Sequence, residues 1–404
     1  MIRAASERIG ASVGDCHYDA LLNSALTLVA LHMSSSGELK EVAKLFFKLG
    51  CIAFGGPAAH IAMMEDEVIK KRQWMTHEHF LDLIGVTNLI PGPNSTEMTM
   101  HCGHERAGRL GLLVAGASFV FPAVVITGLL AFLYQRYGQL PEVEPFIYGI
   151  KPAVIAVIVS ALIRLGKKAL KSIELAVLAA LTCVACLLGV HEIVALFGCG
   201  FVGLSIAVAK NLAKGGDSGQ IHSIAPWFLL QVSTLKVLLS FLKVGAILYG
   251  SGYVLFAFLD AELVSTGLLS REQLIDAVAV GQITPGPVLS TATFIGWQLN
   301  GFWGAVAATV GIFLPSFLFV AIVNPLVPKL RNSKRMSALL NAVNAGAVAV
   351  IAAVCIEMAR DALTDWRTCL IGVVSLAAVL YLKKVNSAFV VIGGALLGYV
   401  LTLV

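Results

Sequence analysis

The segment FLDLIGVTNLIPGPNSTEMTM (Phe80–Met100) is an apolar run that is interrupted by Pro91-Gly92-Pro93. Pro93 has no backbone N–H, and each proline disfavours the α conformation in the residue before it. A helix must therefore end near Ile90 and can start again only after Pro93. The next residues, Asn94-Ser95-Thr96-Glu97, include side chains that cap helix N-termini. The stretch predicts a broken helix inside hydrophobic sequence.

The composition is that of a protein embedded in lipid. Of the 404 residues, 58% are hydrophobic and 13% are charged, and the mean hydropathy is +0.85. A soluble domain carries about 25% charged residues. The chain is therefore predicted to be an all-α polytopic membrane protein in contact with the lipid bilayer. No basic block is interleaved with exposed aromatic residues, which argues against a nucleic-acid partner.

The chain contains an internal repeat. A second break, Pro285-Gly286-Pro287, lies in the other half of the sequence, and six hydrophobic segments occur on each side of a polar linker. Lysines, acids and prolines align together with the apolar residues, so the match is a duplication. The offset is 195 residues between Phe46 and Phe241, 194 between Pro91 and Pro285, and 193 between Pro122 and Pro315.

These features divide the chain into four parts. An N-terminal tail covers 1–36, and Met33 is an alternative start within it. The first repeat covers 37–212, the linker 213–227 and the second repeat 228–404. The tail contains an apolar stretch that is too short to span a membrane easily, and no function is assigned to it.

Basic residues indicate how the two repeats are oriented, because Lys and Arg collect in cytoplasmic loops. In the first repeat the loop at 164–171 is basic, so the loop before it faces outward. In the second repeat the loop that matches this outer one is basic, at 329–335. Equivalent loops thus face opposite sides, which predicts two inverted-topology repeats. The segments add up to about ten transmembrane helices plus two re-entrant helices at the Pro-Gly-Pro motifs.

A polar binding site is expected where the two breaks meet near the membrane midplane. Non-helical backbone survives at that depth only against protein or a wet cavity, and paired breaks mark the binding sites of secondary transporters. A helix that starts at a break offers free N–H groups and the positive end of its dipole, which suits a small oxyanion. The residues assigned to ligand contact at the two breaks are Gly92, Asn94, Ser95, Thr96, Gly286, Ser290 and Thr291.

The first segment of each repeat supplies further candidates. A second break occurs there, where backbone can approach a ligand closely, and an intramembrane lysine precedes it, which is costly and typical of functional sites. Close helix packing and snorkelling of the lysines to the interface stay open as alternatives. The candidates for substrate binding are Lys48, Gly55, Gly56, Lys243, Gly250 and Ser251. The prolines assigned as structural helix breaks are Pro57, Pro91, Pro93, Pro285 and Pro287.

Titratable residues near the breaks give one more candidate. Glu97 lies beside the first break and is assigned either a coupling role, through proton exchange, or simple hydrogen bonding. Its counterpart in the second repeat is Thr291, so coupling would be asymmetric. His60 is interpreted as a packed polar residue. The stretch His101-Cys102-Gly103-His104 lacks a second ligand cluster, so neither a metal nor a cofactor is predicted.

The motifs of the first repeat resemble the chromate ion transporter (CHR) family. The resemblance rests on Phe47-Lys48-Leu49-Gly50, on Ala53-Phe54-Gly55-Gly56-Pro57-Ala58-Ala59-His60 and on the Pro91-Gly92-Pro93 turn, and it covers about 40–404. The second repeat resembles the second domain of the long, two-domain members, although Tyr249-Gly250-Ser251-Gly252 lacks the proline. The resemblance implies a multi-pass protein of the bacterial inner membrane that exports chromate and confers resistance, with sulfate as the competing or exchanging analogue.

Together these observations predict a secondary transporter of a tetrahedral oxyanion that works by alternating access between the inverted repeats. The rival hypothesis is an anion channel, or a transporter of sulfate or another oxyanion, on the same scaffold. An enzyme is not predicted, because no pair of nucleophile and base and no redox centre stands out. The sequence leaves open whether the chain acts alone or as a homodimer.

Overall fold

A computed structural model of the chain describes residues 36–54, 57–87, 90–138, 140, 143–212, 234–248, 254–323, 334–382 and 386–403. The predicted tail, apart from Ser36, and the linker 213–227 lie outside these ranges. Nearly all of the described residues are helical, and the prediction of an all-α protein is confirmed.

Fourteen helices are formed by the described residues, seven in each half. The first half contains α1 (36–52), α2 (Pro57–Glu65), α3 (His77–Thr87), α4 (Asn94–Tyr137), α5 (Glu144–Ala169), α6 (Ile173–Leu187) and α7 (Glu192–Leu212). The second half contains α8 (Thr234–Ile247), α9 (Val254–Leu259), α10 (Arg271–Ile283), α11 (Thr291–Val323), α12 (Lys334–Ala362), α13 (Trp366–Tyr381) and α14 (Ser387–Thr402). Short π-helical turns follow α2 (Asp66–Lys71) and α9 (Asp260–Val264).

The first hydrophobic segment of each half folds back on itself. Lys48 Nζ lies 3.3 Å from a Glu67 oxygen, and Arg72 Nε lies 3.6 Å from a Glu41 oxygen. The start of α1 is therefore beside the end of the π-helical turn, so α1 and α2 form a hairpin. This differs from the sequence analysis, which counts the segment as a membrane crossing.

The same hairpin occurs in the second half. Glu262, in the π-helical turn after α9, lies 2.6 Å from Lys243 Nζ and 3.4 Å from the Ser240 hydroxyl, both on α8. Helices α8 and α9 therefore lie side by side, like α1 and α2. By length and composition, eight apolar helices in the described part of the chain are candidates for membrane spans, four of them long and four of 10–17 residues.

The Pro-Gly-Pro segments form a second pair of hairpins, as the sequence predicts. In the first half, His79 Nε2 at the start of α3 lies 3.3 Å from Glu105 Oε2 in α4. The first part of α4 then ends at Ala107 and Gly108, whose φ angles are −141° and 62°. The helix axis reverses there, because Gly103 packs directly against Gly111. The two parts are called α4a (94–106) and α4b (109–137).

The reversal in α4 has a counterpart in α11. Asn300 and Gly301 have φ angles of −154° and 55°, close to those of Ala107 and Gly108. Gly296 packs against Gly304 across this turn, as Gly103 packs against Gly111. The duplication in the sequence is therefore also a duplication of backbone conformation.

The two halves are inverted relative to each other. At one end of α4b, Arg106 bonds to Glu38 and Glu41 at the base of the first-half hairpins. At the other end, Tyr134 donates a hydrogen bond to Asp276 and the Trp297 indole donates to Gln135, 2.9 Å away. The hairpin bases of the two halves thus lie at opposite ends of a helix about 40 Å long, at 1.5 Å per residue.

The remaining helices surround the hairpins. Helix α12 packs along α5, α6 and α7, while α13 and α14 pack on α5. Small residues allow the close approaches, since Gly149 lies against Gly394 and Gly398, as expected where helices associate in lipid. Asp365 caps α13 by accepting from the Thr368 N–H. Hydrogen bonds from the Tyr148 hydroxyl and from that N–H lower the pKa of Asp365 below its ordinary value.

Candidate functional site

The tips of hairpins from opposite halves meet inside the protein. The backbone N–H of Gly92 donates to the carbonyl of Leu248, with an N–O distance of 2.6 Å, and the N–H of Gly286 donates to the carbonyl of Ala53, at 2.8 Å. Ala53 and Leu248 are equivalent positions in the duplication. Each Pro-Gly-Pro turn therefore docks on the break in the first hairpin of the other half.

Local sequence explains why the chain can make these contacts. Gly92 and Gly286 have φ angles of +146° and +88°, a region that residues with a side chain rarely adopt. Pro93 and Pro287 are extended, with ψ angles of 103° and 130°, so the helix can restart only after them. The two turns are thus set by their own residues, while their partners come from the opposite half.

The first tip is the group formed by Gly92, Glu97 and Ser316. A Cβ atom at Gly92 would overlap with Glu97 Oε1 and Ser316 Oγ, so both polar atoms press against the glycine. Glu97 and Ser316 are each 0% exposed. Within the described part of the chain, neither the Glu97 carboxylate nor the Ser316 hydroxyl has a hydrogen-bond partner. Buried polar atoms without partners are unusual, and they suggest that something is to be bound here.

The second tip, formed by Gly286, Ser290 and Thr291, has a different composition. The Thr127 hydroxyl, on α4b, donates to the Ser290 hydroxyl at 3.1 Å, and both residues are fully buried. The Thr291 hydroxyl donates to the Val288 carbonyl at 2.8 Å. Gly286 lies near the Cβ of Ala123, which occupies the position equivalent to Ser316. The second tip therefore presents hydroxyl groups and no carboxylate among its described residues.

Most of the predicted contact residues and break prolines lie at helix ends. Ser95, Thr96, Ser290 and Thr291 are at most 2% exposed and follow the two tips directly, and Asn94 begins α4. The five predicted break prolines are found at or beside helix ends, since Pro57 begins α2 and the others flank the tip glycines. Gly55, Gly56, Gly250 and Ser251 lie outside the described residues.

The two predicted lysines lie away from the tips. Lys48 and Lys243 have side chains that are 56% and 53% exposed, and each pairs with a glutamate of its own hairpin, Glu67 or Glu262. The tip residues, in contrast, are almost fully buried. The charge of each lysine is thus balanced by a glutamate of its own hairpin, which agrees with the snorkelling alternative of the sequence analysis and differs from the prediction that the lysines bind the substrate.

Two residues at the junction of the halves, Thr127 and Ser316, were not singled out from the sequence, and a third, His60, was interpreted there as a packed polar residue. His60 is 1% exposed, and its Nε2 lies 3.0 Å from the Ala53 carbonyl that also accepts from Gly286. Thr127 and Ser316 come from helices distant in sequence. Ser316 follows Pro315, a proline matched by Pro122 in the duplication, and this alignment is the signal that could have found it. Among the described residues, no group of His, Cys, Asp and Glu could hold a metal ion.

Comparisons with known proteins point to one family. The Chromate transporter family matches residues 40–204 and again 235–399. The chain is 30% identical over 384 residues to the chromate transport protein of Cupriavidus metallidurans, an alignment that covers 92% of this chain and 95% of that one. It is 31% identical over 386 residues to a probable chromate transport protein of Synechococcus elongatus, with 92% and 97% covered. No solved structure matches.

Proposed function

Because the chain belongs to the Chromate transporter family, we propose that it is a secondary transporter that exports chromate from the cell. Sulfate has the same tetrahedral shape and charge, and it competes for the site or exchanges with chromate. The protein is a multi-pass, all-α membrane protein and not an enzyme. The bacterial inner membrane, the direction of transport and the role of sulfate are part of the proposal.

The observation that carries this proposal is the meeting of the hairpin tips. Both α4 and the turn before α11 begin at a tip, so both present helix N-termini toward the junction of the halves. Helix N-termini bind anions through free N–H groups and the dipole, and hydroxyl groups of Ser95, Thr96, Ser290 and Thr291 lie in the first turns. This supports a small oxyanion as the substrate better than a cation.

Alternating access follows from the inverted arrangement of the hairpins. The hairpins of the first half have their bases at one end of α4b, and the hairpins of the second half have theirs at the other end. Movement of one pair opens the junction toward one face while the other pair keeps the opposite face closed, as in transporters with inverted repeats. The residues that we propose for substrate contact are Gly55, Gly56, Gly92, Asn94, Ser95, Thr96, Gly250, Ser251, Gly286, Ser290 and Thr291.

Orientation and driving force are consistent with export. The base of the first-half hairpins carries Lys70, Lys71, Arg72 and Arg106, so we place it in the cytoplasm. Movement of a dianion out of a cell that is negative inside is favoured by about 2.3 kcal/mol per charge per 100 mV. The membrane potential alone can therefore drive export.

The test is chromate flux into inside-out vesicles, with sulfate as competitor. Saturable uptake that sulfate blocks is expected for the wild type. Ser290→Ala should weaken it several-fold, while the control Ser265→Ala, exposed at the hairpin base, should not. Flux that rises linearly with chromate concentration would instead favour an anion channel, and no flux from a correctly inserted protein would contradict the proposal. Cross-linking in the same membranes distinguishes a monomer from a homodimer.

A further inference from the structure

The two tips differ at equivalent positions, and the difference is a carboxylate. Glu97 at the first tip corresponds to Thr291 at the second, and Ser316 corresponds to Ala123. The duplication keeps its glycines and prolines at both tips, but it has an ionisable group at position 97 where the other tip has the hydroxyl of Thr291. The difference suggests that the first tip has a task that the second tip does not share.

Glu97 is placed where a fixed negative charge would be costly. It is 0% exposed, its Oε1 presses against Gly92, and neither carboxylate oxygen has a hydrogen-bond partner among the described residues. A buried carboxylate without a partner is far from its preferred environment in water. The neutral, protonated acid is the form that such surroundings tolerate best.

No neighbouring charge among the described residues neutralises Glu97, since it forms no ion pair with them. Helix α11, which supplies Ser316, has no ionisable residue between Thr291 and Val323. Lys243 on α8 is already paired with Glu262. The other ionisable residues on α2, α3, α4a and α8 form two groups. One group lies at the helix ends away from the tip and consists of Glu65, His77, Glu78, His79, His104, Glu105 and Arg106. The others are His60, Asp82, His101, Cys102 and Lys236.

The carboxylate also competes with an anion for the same helix end. Glu97 lies in the first turn of α4a, where a negative charge interacts favourably with the dipole and the free N–H groups. A charged Glu97 would therefore occupy the helix end electrostatically and repel a dianion. A protonated Glu97 leaves the helix end to the ligand and adds an O–H donor for one of its oxygens.

We propose that the first tip binds one proton, on Glu97, together with one oxyanion, and that the two cross the membrane in the same direction. This inference rests on the proposed function. It adds a stoichiometry of one proton per dianion, so that each transport cycle moves one net negative charge across the membrane.

The test uses wild-type protein in proteoliposomes with radiolabelled sulfate and a pH-sensitive dye inside. Sulfate is the right probe because it takes up no proton near neutral pH, so any pH dependence belongs to the protein. The KM for sulfate is expected to rise as pH increases, by up to about tenfold per pH unit for one bound proton. The dye should report protons entering with sulfate.

Glu97→Gln replaces the protonated acid by a neutral side chain of the same shape. Sulfate transport by this variant should have a KM independent of pH and no accompanying proton flux. Asp276→Asn is the matched control, because Asp276 is also a buried carboxylate but lies on α10, where it accepts a hydrogen bond from Tyr134. This control should keep the pH dependence of the wild type.

The outcomes separate this inference from the proposed function. Saturable sulfate flux with a constant KM and no proton movement would overturn the inference and leave oxyanion transport intact. Protons moving opposite to sulfate, or an unchanged pH dependence in Glu97→Gln, would overturn it as well. The absence of saturable sulfate and chromate flux at every pH would contradict both. If Glu97→Gln fails to fold, the wild-type measurements still decide.

Discussion

The tip glycines are the residues on which the junction of the halves depends most directly. Both have positive φ angles, and both donate their N–H group to a carbonyl of the opposite half. A side chain at either position would be strained and would press on the other half. The Pro-Gly-Pro motif is read easily from sequence, because proline and glycine restrict the backbone locally.

Gly286→Ala is expected to destabilise the protein by about 2 kcal/mol, because a left-handed backbone conformation is unfavourable for alanine. The new Cβ would also lie only 3.0 Å from the Cβ of Ala123. Thermal unfolding in detergent measures this effect. The control is Gly85→Ala in α3, where a Cβ would meet no atom within 4 Å and helix propensity favours alanine by about 0.5–1 kcal/mol. Equal stability of the two variants would contradict this account.

The residues that the opposite half brings to the tips are the hardest to predict from the sequence. Ser95, Thr96, Ser290 and Thr291 could be predicted because they follow a break in the same stretch of chain. Thr127 and Ser316 do not follow a break, and the residues that they contact, Ser290 and Gly92, are far away in sequence. For Ser316, only the alignment of Pro315 with Pro122 gives a signal in the sequence. The half-exposed side chain of Lys48 agrees with the snorkelling alternative of the sequence analysis, but its partner Glu67 could not be predicted, because Glu67 reaches Lys48 only in a hairpin.

The hairpin made of α1 and α2 shows a limit of hydrophobic pattern. A segment of this length and composition fits a membrane crossing as well as a hairpin, and the Gly-Gly-Pro break does not distinguish them. The hairpin has a consequence for charge. Lys40 and Lys44 lie on the same arm as Glu41, which is bonded to Arg106. They are therefore on the same side of the protein as the other basic residues of the first-half hairpins.

The equivalent ion pairs Lys48–Glu67 and Lys243–Glu262 join the two arms of each first hairpin. Lys243→Ala should destabilise the protein by about 1 kcal/mol, because Glu262 is left without its cation in a mostly buried position. Adding Glu262→Ala should recover most of this loss in a double-mutant cycle of unfolding midpoints. Additive effects of the two substitutions would show that the pair contributes nothing.

Across the whole molecule, the inverted arrangement places equivalent loops at opposite faces. Gln73 and Thr266 are exposed, follow the π-helical turns of the two halves and lie at opposite ends of α4b. Cysteines at these positions, in a chain whose own eight cysteines are replaced, should react with an impermeant reagent from opposite sides of the membrane. Reaction of both from one side would contradict the inversion.

The exchange of hydrogen bonds between the halves also sets an order for biogenesis. The carbonyl of Ala53 leaves the ribosome long before its donor, Gly286, exists. At about 5–20 residues per second, the interval between these two residues corresponds to roughly ten to fifty seconds. During that time the first half sits in the bilayer with its tips unmatched, so nascent chains at this stage are the form on which membrane chaperones and quality-control proteases would act.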